Sequence, residues 1–294
     1  MIHTIDLHFL GHSHSIASYL VETSEGPVLI ETGPHSVLPN LQKGLAAKGY
    51  RLEDIQHVFL THIHLDHAGA AWWFAEQGAT IYVHPFGYPH LAHPEKLLHS
   101  AKRIYQDEMQ KLWGDMKPIA ESQLVAVENE DEFTIGDTTF KAWHTPGHAV
   151  HHIAWQVGKN LFTGDVAGVK IEGGKVVPPC PPPDINLEDW QDSIKLIQSL
   201  DVDCLYLVHF GAVRDIENHL NHLVDCLWDW ANWIKPYWES GKSAAEITPL
   251  FEAYAHQQLV DFGIDAEGCA RYEAANPSWM SVAGLMRYWH KKTV

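Results

Sequence analysis

The stretch FLTHIHLDHAG, Phe59 to Gly69, carries His62, His64, Asp66 and His67 within six positions, directly behind an apolar run. Taken singly, a histidine or aspartate at a strand end is structural, capping a turn or solvating a loop. Four of them in this spacing ask for a common purpose. His62 and His64 are one residue apart, so in an extended segment both side chains point the same way. After an intervening turn, Asp66 and His67 can face a neighbouring position.

Residues of the same kind recur further along the chain, each at the end of a β-type run. "FKAWHTPGH" delivers His148, "NLFTGD" delivers Asp165 and "CLYLVHFG" delivers His209. Strand ends can converge on one edge of a layered sheet, where loops open to solvent and rigid strands hold the geometry. A closed zinc site needs four ligands, and a catalytic one keeps a position free for water. Seven side chains, with Asp165 bridging, suffice for two divalent ions about 3.5–4 Å apart with a hydroxide shared between them. Imidazole and carboxylate ligands suit zinc, with iron or manganese as alternatives.

Composition narrows the class. A chain of 294 residues, 46% of them hydrophobic, can form one large α/β unit with an appendage. Its 20 basic against 37 acidic side chains leave a net charge of −17, which repels phosphate backbones and argues against nucleic acid as a partner. No apolar stretch approaches the ~18 residues of a membrane span, and the start, MIHTIDLHFLGH, lacks the basic end and apolar core of a signal peptide. The sequence therefore predicts a cytoplasmic protein with a small-molecule substrate and no membrane partner. Cys180, Cys204, Cys226 and Cys269 are scattered and form no CxxC pair, so they read as reduced, mostly buried thiols. There is neither a GxSxG elbow nor a P-loop pattern.

Strand-length runs dominate the first two-thirds: SYLVET, PVLIET, HVFLT, TIYVH, FKAWHT, HIAWQV, NLFTGD and CLYLVHF. Helical segments ending at Gly49 and Gly78 lie between some of them, and a longer helical insertion is expected over Pro94 to Met116. The proline-rich run Val176 to Asp184 reads as a stiff surface loop. Past Arg214, Ile216, Leu220, Leu223, Leu227, Trp230 and Ile234 recur at steps of three or four and mark one apolar helical face. Six tryptophans, Trp228, Trp230, Trp233, Trp238, Trp279 and Trp289, sit in this tail, where docking on the core is favoured over a homodimer interface or an aromatic substrate wall.

The pattern HxHxDH at His62, His64, Asp66 and His67, followed by TPGH at His148, TGD at Asp165 and HFG at His209, resembles the metallo-β-lactamase-fold hydrolase superfamily. The resemblance covers roughly residues 1–214. It implies an α+β fold, a four-layer αββα sandwich with the metal site on one edge, followed here by a helical C-terminal extension over 215–294. It also implies a sorting of ligands: His62, His64 and His148 to one metal, Asp66, His67 and His209 to the other, Asp165 between them. The later stretches look most like the glyoxalase II-like and lactonase-like branch. Where the family usually reads Asp-Thr-Gly after an early strand, this chain has Glu31-Thr32-Gly33, so Glu31 is expected behind a ligand histidine with one more methylene to accommodate. His64 stands where the flavodiiron branch carries a glutamate, which counts against an electron-transfer reading.

The expected activity is hydrolysis of a carboxylic ester, lactone or thioester by a metal-bridging hydroxide, with Asp66 as the catalytic group that steers it and shuttles its proton. A mononuclear iron dioxygenase of persulfides and a phosphodiesterase on the same fold are the alternatives. His12 and His14 could line the pocket mouth, Tyr19, Tyr88 and Tyr105 could donate to a carbonyl oxygen, and the 94–116 insertion and proline run could form walls or lids.

Overall fold

The computed structural model describes residues 1–293 and contains two six-stranded sheets. In the first sheet the strands lie side by side in chain order. They are β1 (Ile2–Asp6), β2 (Ala17–Thr23), β3 (Gly26–Ile30), β4 (His57–Phe59), β5 (Thr80–Val83) and β6 (Leu124–Ala126). The first three pair antiparallel, β1 and β2 across the loop 7–16 and β2 and β3 through a tight turn, whereas β3 to β6 pair parallel and need crossovers. Those crossovers hold α1 (Leu38–Ala46), then α2 (Leu65–Ala68) and α3 (Ala71–Glu76), then α4 (Tyr88–Ala92), α5 (Glu95–Tyr105) and α6 (Met109–Trp113).

The second sheet comprises β7 (Glu132–Ile135), β8 (Thr138–His144), β9 (Ile153–Val157), β10 (Asn160–Gly164), β11 (Cys204–Leu207) and β12 (Gly211–Val213). Only β10 and β11 pair parallel, and α7 (Leu187–Ser199) lies in the connection between them. Four helices follow: α8 (Ile216–Glu239), α9 (Ala244–Asp261), α10 (Ala266–Ala275) and α11 (Ser278–Thr293).

Aromatic side chains join the sheets. Phe59 stacks on Phe140 at 4.4 Å between centroids and meets the edge of Trp155 at 4.7 Å. The Trp155 indole N–H donates to the Leu60 carbonyl at 2.9 Å, which locks the strand that precedes the histidine-rich stretch. On the outer face of the second sheet, Leu161, Leu205 and Leu207 share a buried cluster with Trp190 and Ile194 of α7 and with the expected stripe of α8. The architecture is thus the anticipated α+β four-layer sandwich with a helical C-terminal region.

Three details differ from expectation. The single helix expected over 94–116 is broken into α5 and α6, with Gln106 at φ 49° in the left-handed region between them. The proline run is not a surface loop: Val176 through Pro181 are buried beneath the tail. Prolines bring no N–H groups inside, so the burial cost falls mainly on carbonyls, and several are satisfied. Pro178 accepts from Asn276 at 3.1 Å, Pro179 from His148 at 2.9 Å, and Pro183 from Arg287 and Lys291 at 3.0 and 2.8 Å. The short strands β1, β6, β7 and β12 are not among the expected runs; each is three to five residues long and lies at an edge of its sheet. All four cysteines are buried and free, and among the described residues no helix is long and apolar enough to cross a membrane.

Candidate metal centre

The structure brings all seven sequence-predicted side chains together at one edge of the sandwich. His62 and His64 lie in the loop after β4, and the single turn of α2 carries Asp66 and His67. His148 follows β8 through Thr145-Pro146-Gly147, and Asp165 follows β10 directly. Both preceding glycines are required. Gly147 has φ 129°, and a Cβ there would lie 2.2 Å from Trp190 Cα. Gly164 has φ 47°, and a Cβ would lie 2.3 Å from Thr61 Oγ1.

The donor atoms fall into two sets. His64 Nδ1 lies 2.9 Å from His62 Nε2 and 3.0 Å from His148 Nε2, so three ring nitrogens converge on one point. Asp66 Oδ2 faces His209 Nε2 at 3.4 Å and His67 Nε2 at 3.6 Å. Asp165 divides its carboxylate between them: Oδ2 is 3.3 Å from His148 Nε2, and Oδ1 is 3.3 Å from His67 Nε2 and 3.5 Å from His209 Nε2.

Hydrogen bonds behind the rings select their tautomers. His148 Nδ1–H donates to the Pro179 carbonyl at 2.9 Å and His209 Nδ1–H to the Ser15 carbonyl at 2.6 Å, leaving both Nε2 lone pairs aimed inward. His62 Nδ1 lies 3.0 Å from Thr61 Oγ1, whose hydroxyl proton goes to Glu31 Oε1. Glu31 Oε1 is also 3.4 Å from His67 Nδ1. The extra methylene is accommodated with Glu31 in the left-handed region at φ 63°, a backbone conformation that costs energy for a residue with a side chain.

Electrostatics divides the site in the same way. Burial pushes the His62 and His148 imidazoles below their ordinary value, and His64 is pushed down to about 3, again mainly by burial with His148 adding to it. These rings are neutral, the form that binds metals. Burial also works against charge on His67 and His209, but the facing carboxylates outweigh it and raise both. Burial would raise Asp66, yet His67 and His209 hold it at about 2, and the same pairing keeps Asp165 low.

A divalent cation fits this donor set. Glu31 Oε2, both ring nitrogens of His67 and Asp165 Oδ1 are buried with no hydrogen-bond partner, their 3.3–3.4 Å approaches lacking hydrogen-bond geometry. Buried carboxylates and unshared lone pairs are costly unless charge compensates them, which a metal ion does.

Above this floor opens a cleft of about 350 Å³ that includes His64, Asp66, Asp165 and His209. Its walls come from the Phe9–Leu10 loop, α5, α6, the proline run and the start of α11. Tyr105 lies in the cleft but its hydroxyl goes to Met280 Sδ at 3.5 Å. Tyr19 instead donates to the Leu207 carbonyl and Tyr88 to the Glu121 carbonyl, both away from the floor. His14 is held by Glu172 at 2.7 Å and stacks on Phe210, and neither it nor His12 lines the cleft. Trp279 departs from the other five tail tryptophans and faces the cleft, while they pack within the tail. Phe9 and Leu10 carried no sequence signal, because an apolar residue in a loop looks the same whether it walls a cleft or packs.

A four-layer sandwich with imidazoles and carboxylates converging on its open edge defines a metal-binding enzyme of the hydrolase type. The chain belongs to the metallo-beta-lactamase superfamily, whose model matches residues 14–209. It is 30% identical over 179 residues to a metallo-beta-lactamase fold-containing protein of Sulfurisphaera tokodaii, covering 59% of this chain and 68% of that relative. It is 27% identical over 213 residues, 69% of this chain, to an atrochrysone carboxyl ACP thioesterase of Aspergillus fumigatus, of whose length it spans 39%. Among solved structures, a metallo-beta-lactamase family protein of Thermus thermophilus superposes with a TM-score of 0.74 over 99% of this chain and 94% of that one, at 19% identity. That likeness is one of fold and extends through the helical tail.

Proposed function

We propose that the protein is a binuclear metal-dependent hydrolase of a carboxylic ester, lactone or thioester, closest in chemistry to the glyoxalase II-like and lactonase-like branches. The observation that carries this reading is Asp165, whose two oxygens face the two donor sets separately. Two divalent ions, zinc ahead of iron or manganese, would be held by His62, His64 and His148 on one side and Asp66, His67 and His209 on the other, with Asp165 shared. When bound, such ions polarise a carbonyl and make water acidic enough to attack it near neutral pH.

The protein's own groups supply the rest. Asp66 lines the cleft with its side chain 22% exposed, against 5% for Asp165, so it is the floor carboxylate more open to an incoming water. Ionised beside His67 and His209, it can accept a hydrogen bond from that water and steer it towards the carbonyl. The carbonyls of Pro179 and Ser15 and the Thr61–Glu31 pair keep the imidazoles in the orientation this requires.

The test is elemental mass spectrometry of protein purified without added metal, run beside hydrolysis of a lactone, thioester and phosphodiester panel under air and under nitrogen. Two zinc or manganese ions per chain with oxygen-independent cleavage of a carboxyl substrate is the expected result. One iron per chain with oxygen consumption would replace it with the persulfide dioxygenase, and a phosphodiester preference with a phosphodiesterase.

A further inference from the structure

The cleft walls offer an entering substrate no cation. Among the described residues, no lysine or arginine lines the cleft, and its carboxylates are Asp66, Asp165 and Glu273. Arg287 and Lys291 donate to the Pro183 carbonyl and do not themselves line the cleft. The positive start of α11, which reaches the cleft at Trp279 and Met280, is neutralised by Glu273, whose carboxylate accepts from Ser278 N at 2.9 Å and Ser278 Oγ at 2.7 Å.

Against that, the walls offer aromatic surface. Tyr105 meets Trp113 edge-on at 5.0 Å and Trp279 at 6.0 Å, so the α5–α6 insertion and the tail close on each other across the cleft. Leu10, Ile104 and Trp279 remain 45%, 38% and 37% exposed around the mouth, an apolar rim a solvated protein leaves open only at cost. A negative charge entering here would lose water and find no partner on the walls, while an aromatic or branched hydrocarbon group would bury area on both sides.

We propose that this cleft selects uncharged substrates whose acyl part is aromatic or bulky hydrocarbon, gripped between the α5–α6 insertion and the start of α11, and rejects anionic ones such as glutathione thioesters. This deepens, and rests on, the reading of the site as a carboxyl-ester hydrolase.

Two methyl benzoates that share a scissile bond and differ only at the remote end give the test: methyl 4-(methylsulfonyl)benzoate, neutral, and methyl 4-sulfobenzoate, an anion that ligates metals weakly. With the zinc-loaded full chain, and with each kcat/KM divided by that ester's rate of alkaline hydrolysis to cancel the stronger electron withdrawal of the sulfone, the neutral ester should be favoured by at least about tenfold, the scale of an unpaired charge against apolar surface. Trp279→Arg and, separately, Ile104→Arg, both at partly exposed positions, should lower KM for the sulfonate, raise it for the neutral ester and so narrow the gap. Binding of both molecules, read by tryptophan fluorescence quenching, provides a second measurement that needs no turnover. Tighter binding of the neutral molecule without hydrolysis of any carboxyl substrate would sink the hydrolase reading and keep the selectivity. Equal binding or equal corrected kcat/KM of the two would overturn the selectivity and leave the hydrolase reading standing.

Discussion

The floor and the walls of one cleft are built by opposite means. The floor takes polar side chains from strand ends and short turns, with the rings of His62, His148 and His209 fixed from behind by a hydroxyl or a carbonyl. The walls take apolar side chains from helices and a proline run that meet only in the folded chain, as where Tyr105 bonds Met280 across 175 positions. Rigid strands suit chemistry that tolerates little displacement, whereas loops and helices can vary the substrate without disturbing it. The comparison predicts steep losses on the floor and graded ones behind it and in the walls.

The largest effect is expected at the residue the two donor sets share. Asp165→Ala should strip most bound metal and lower turnover by about a thousandfold or more, the rate equivalent of several kcal/mol of lost charge stabilisation. Elemental analysis beside the hydrolysis assay checks this, with His12→Ala, outside the cleft, keeping the metal content of the parent. An Asp165→Ala protein that retained two ions would break the ligand scheme.

Behind the floor, Glu31→Gln should cost roughly 10–100-fold in metal affinity, because it removes the charge facing His67 Nδ1 and Thr61 while leaving every ligand in place. A competition titration with a chromophoric chelator measures it, and an unchanged affinity would mean that Glu31 only packs.

The wall and the floor are coupled at one point. Gly284 of α11 has no room for a side chain, since a Cβ would sit 1.9 Å from the Cys180 carbonyl oxygen, one residue from the Pro179 that holds His148. Gly284→Ala should therefore destabilise the fold by about 1–3 kcal/mol, as overpacking does. It should also weaken metal binding modestly. Thermal unfolding with and without zinc separates the two effects, and a loss of stability with no change in metal affinity would show tail and floor to be independent.

The smallest effect concerns a buried histidine that belongs to neither region. Burial, with His144 stacked at 4.4 Å, pushes His84 down to about 4, and its Nδ1 accepts from the Phe86 N–H at 3.2 Å. With a folded value below the unfolded one of about 6.5, the unfolded chain binds the extra proton between pH 6.5 and 4, so stability falls as pH drops through that window. His84→Gln should flatten this slope by ~1 kcal/mol after allowing for solvent screening, measured by urea midpoints across the window. An unaltered slope would place the acid sensitivity elsewhere.

Much of the floor was legible because its signal is local. An HxHxDH spacing and single residues at the ends of apolar runs survive in one dimension, and the chain placed all seven at one edge as their strand-end positions implied. Gly147 and Gly164 also carry meaning in their own backbone angles. The proline run was misread for the converse reason. Its composition favours a turn, and its burial depends on Asn276, Arg287, Lys291 and Gly284 arriving about a hundred residues later.

By itself, then, the sequence determined the layered α+β architecture, the identity and chain order of the seven ligand-type side chains and the amphipathic stripe that docks α8. The ligand set and the stripe follow from chemistry at strand ends and from periodicity, which neighbouring residues specify, and the layered architecture from the family that the motifs resemble. Only the tertiary structure decided which oxygen of Asp165 faces which donor set, that the imidazole facing Glu31 is that of His67, and that Trp279 leaves the tail to wall the cleft. Each of those depends on distances between segments far apart in the chain, and such distances are set by packing that no local pattern encodes.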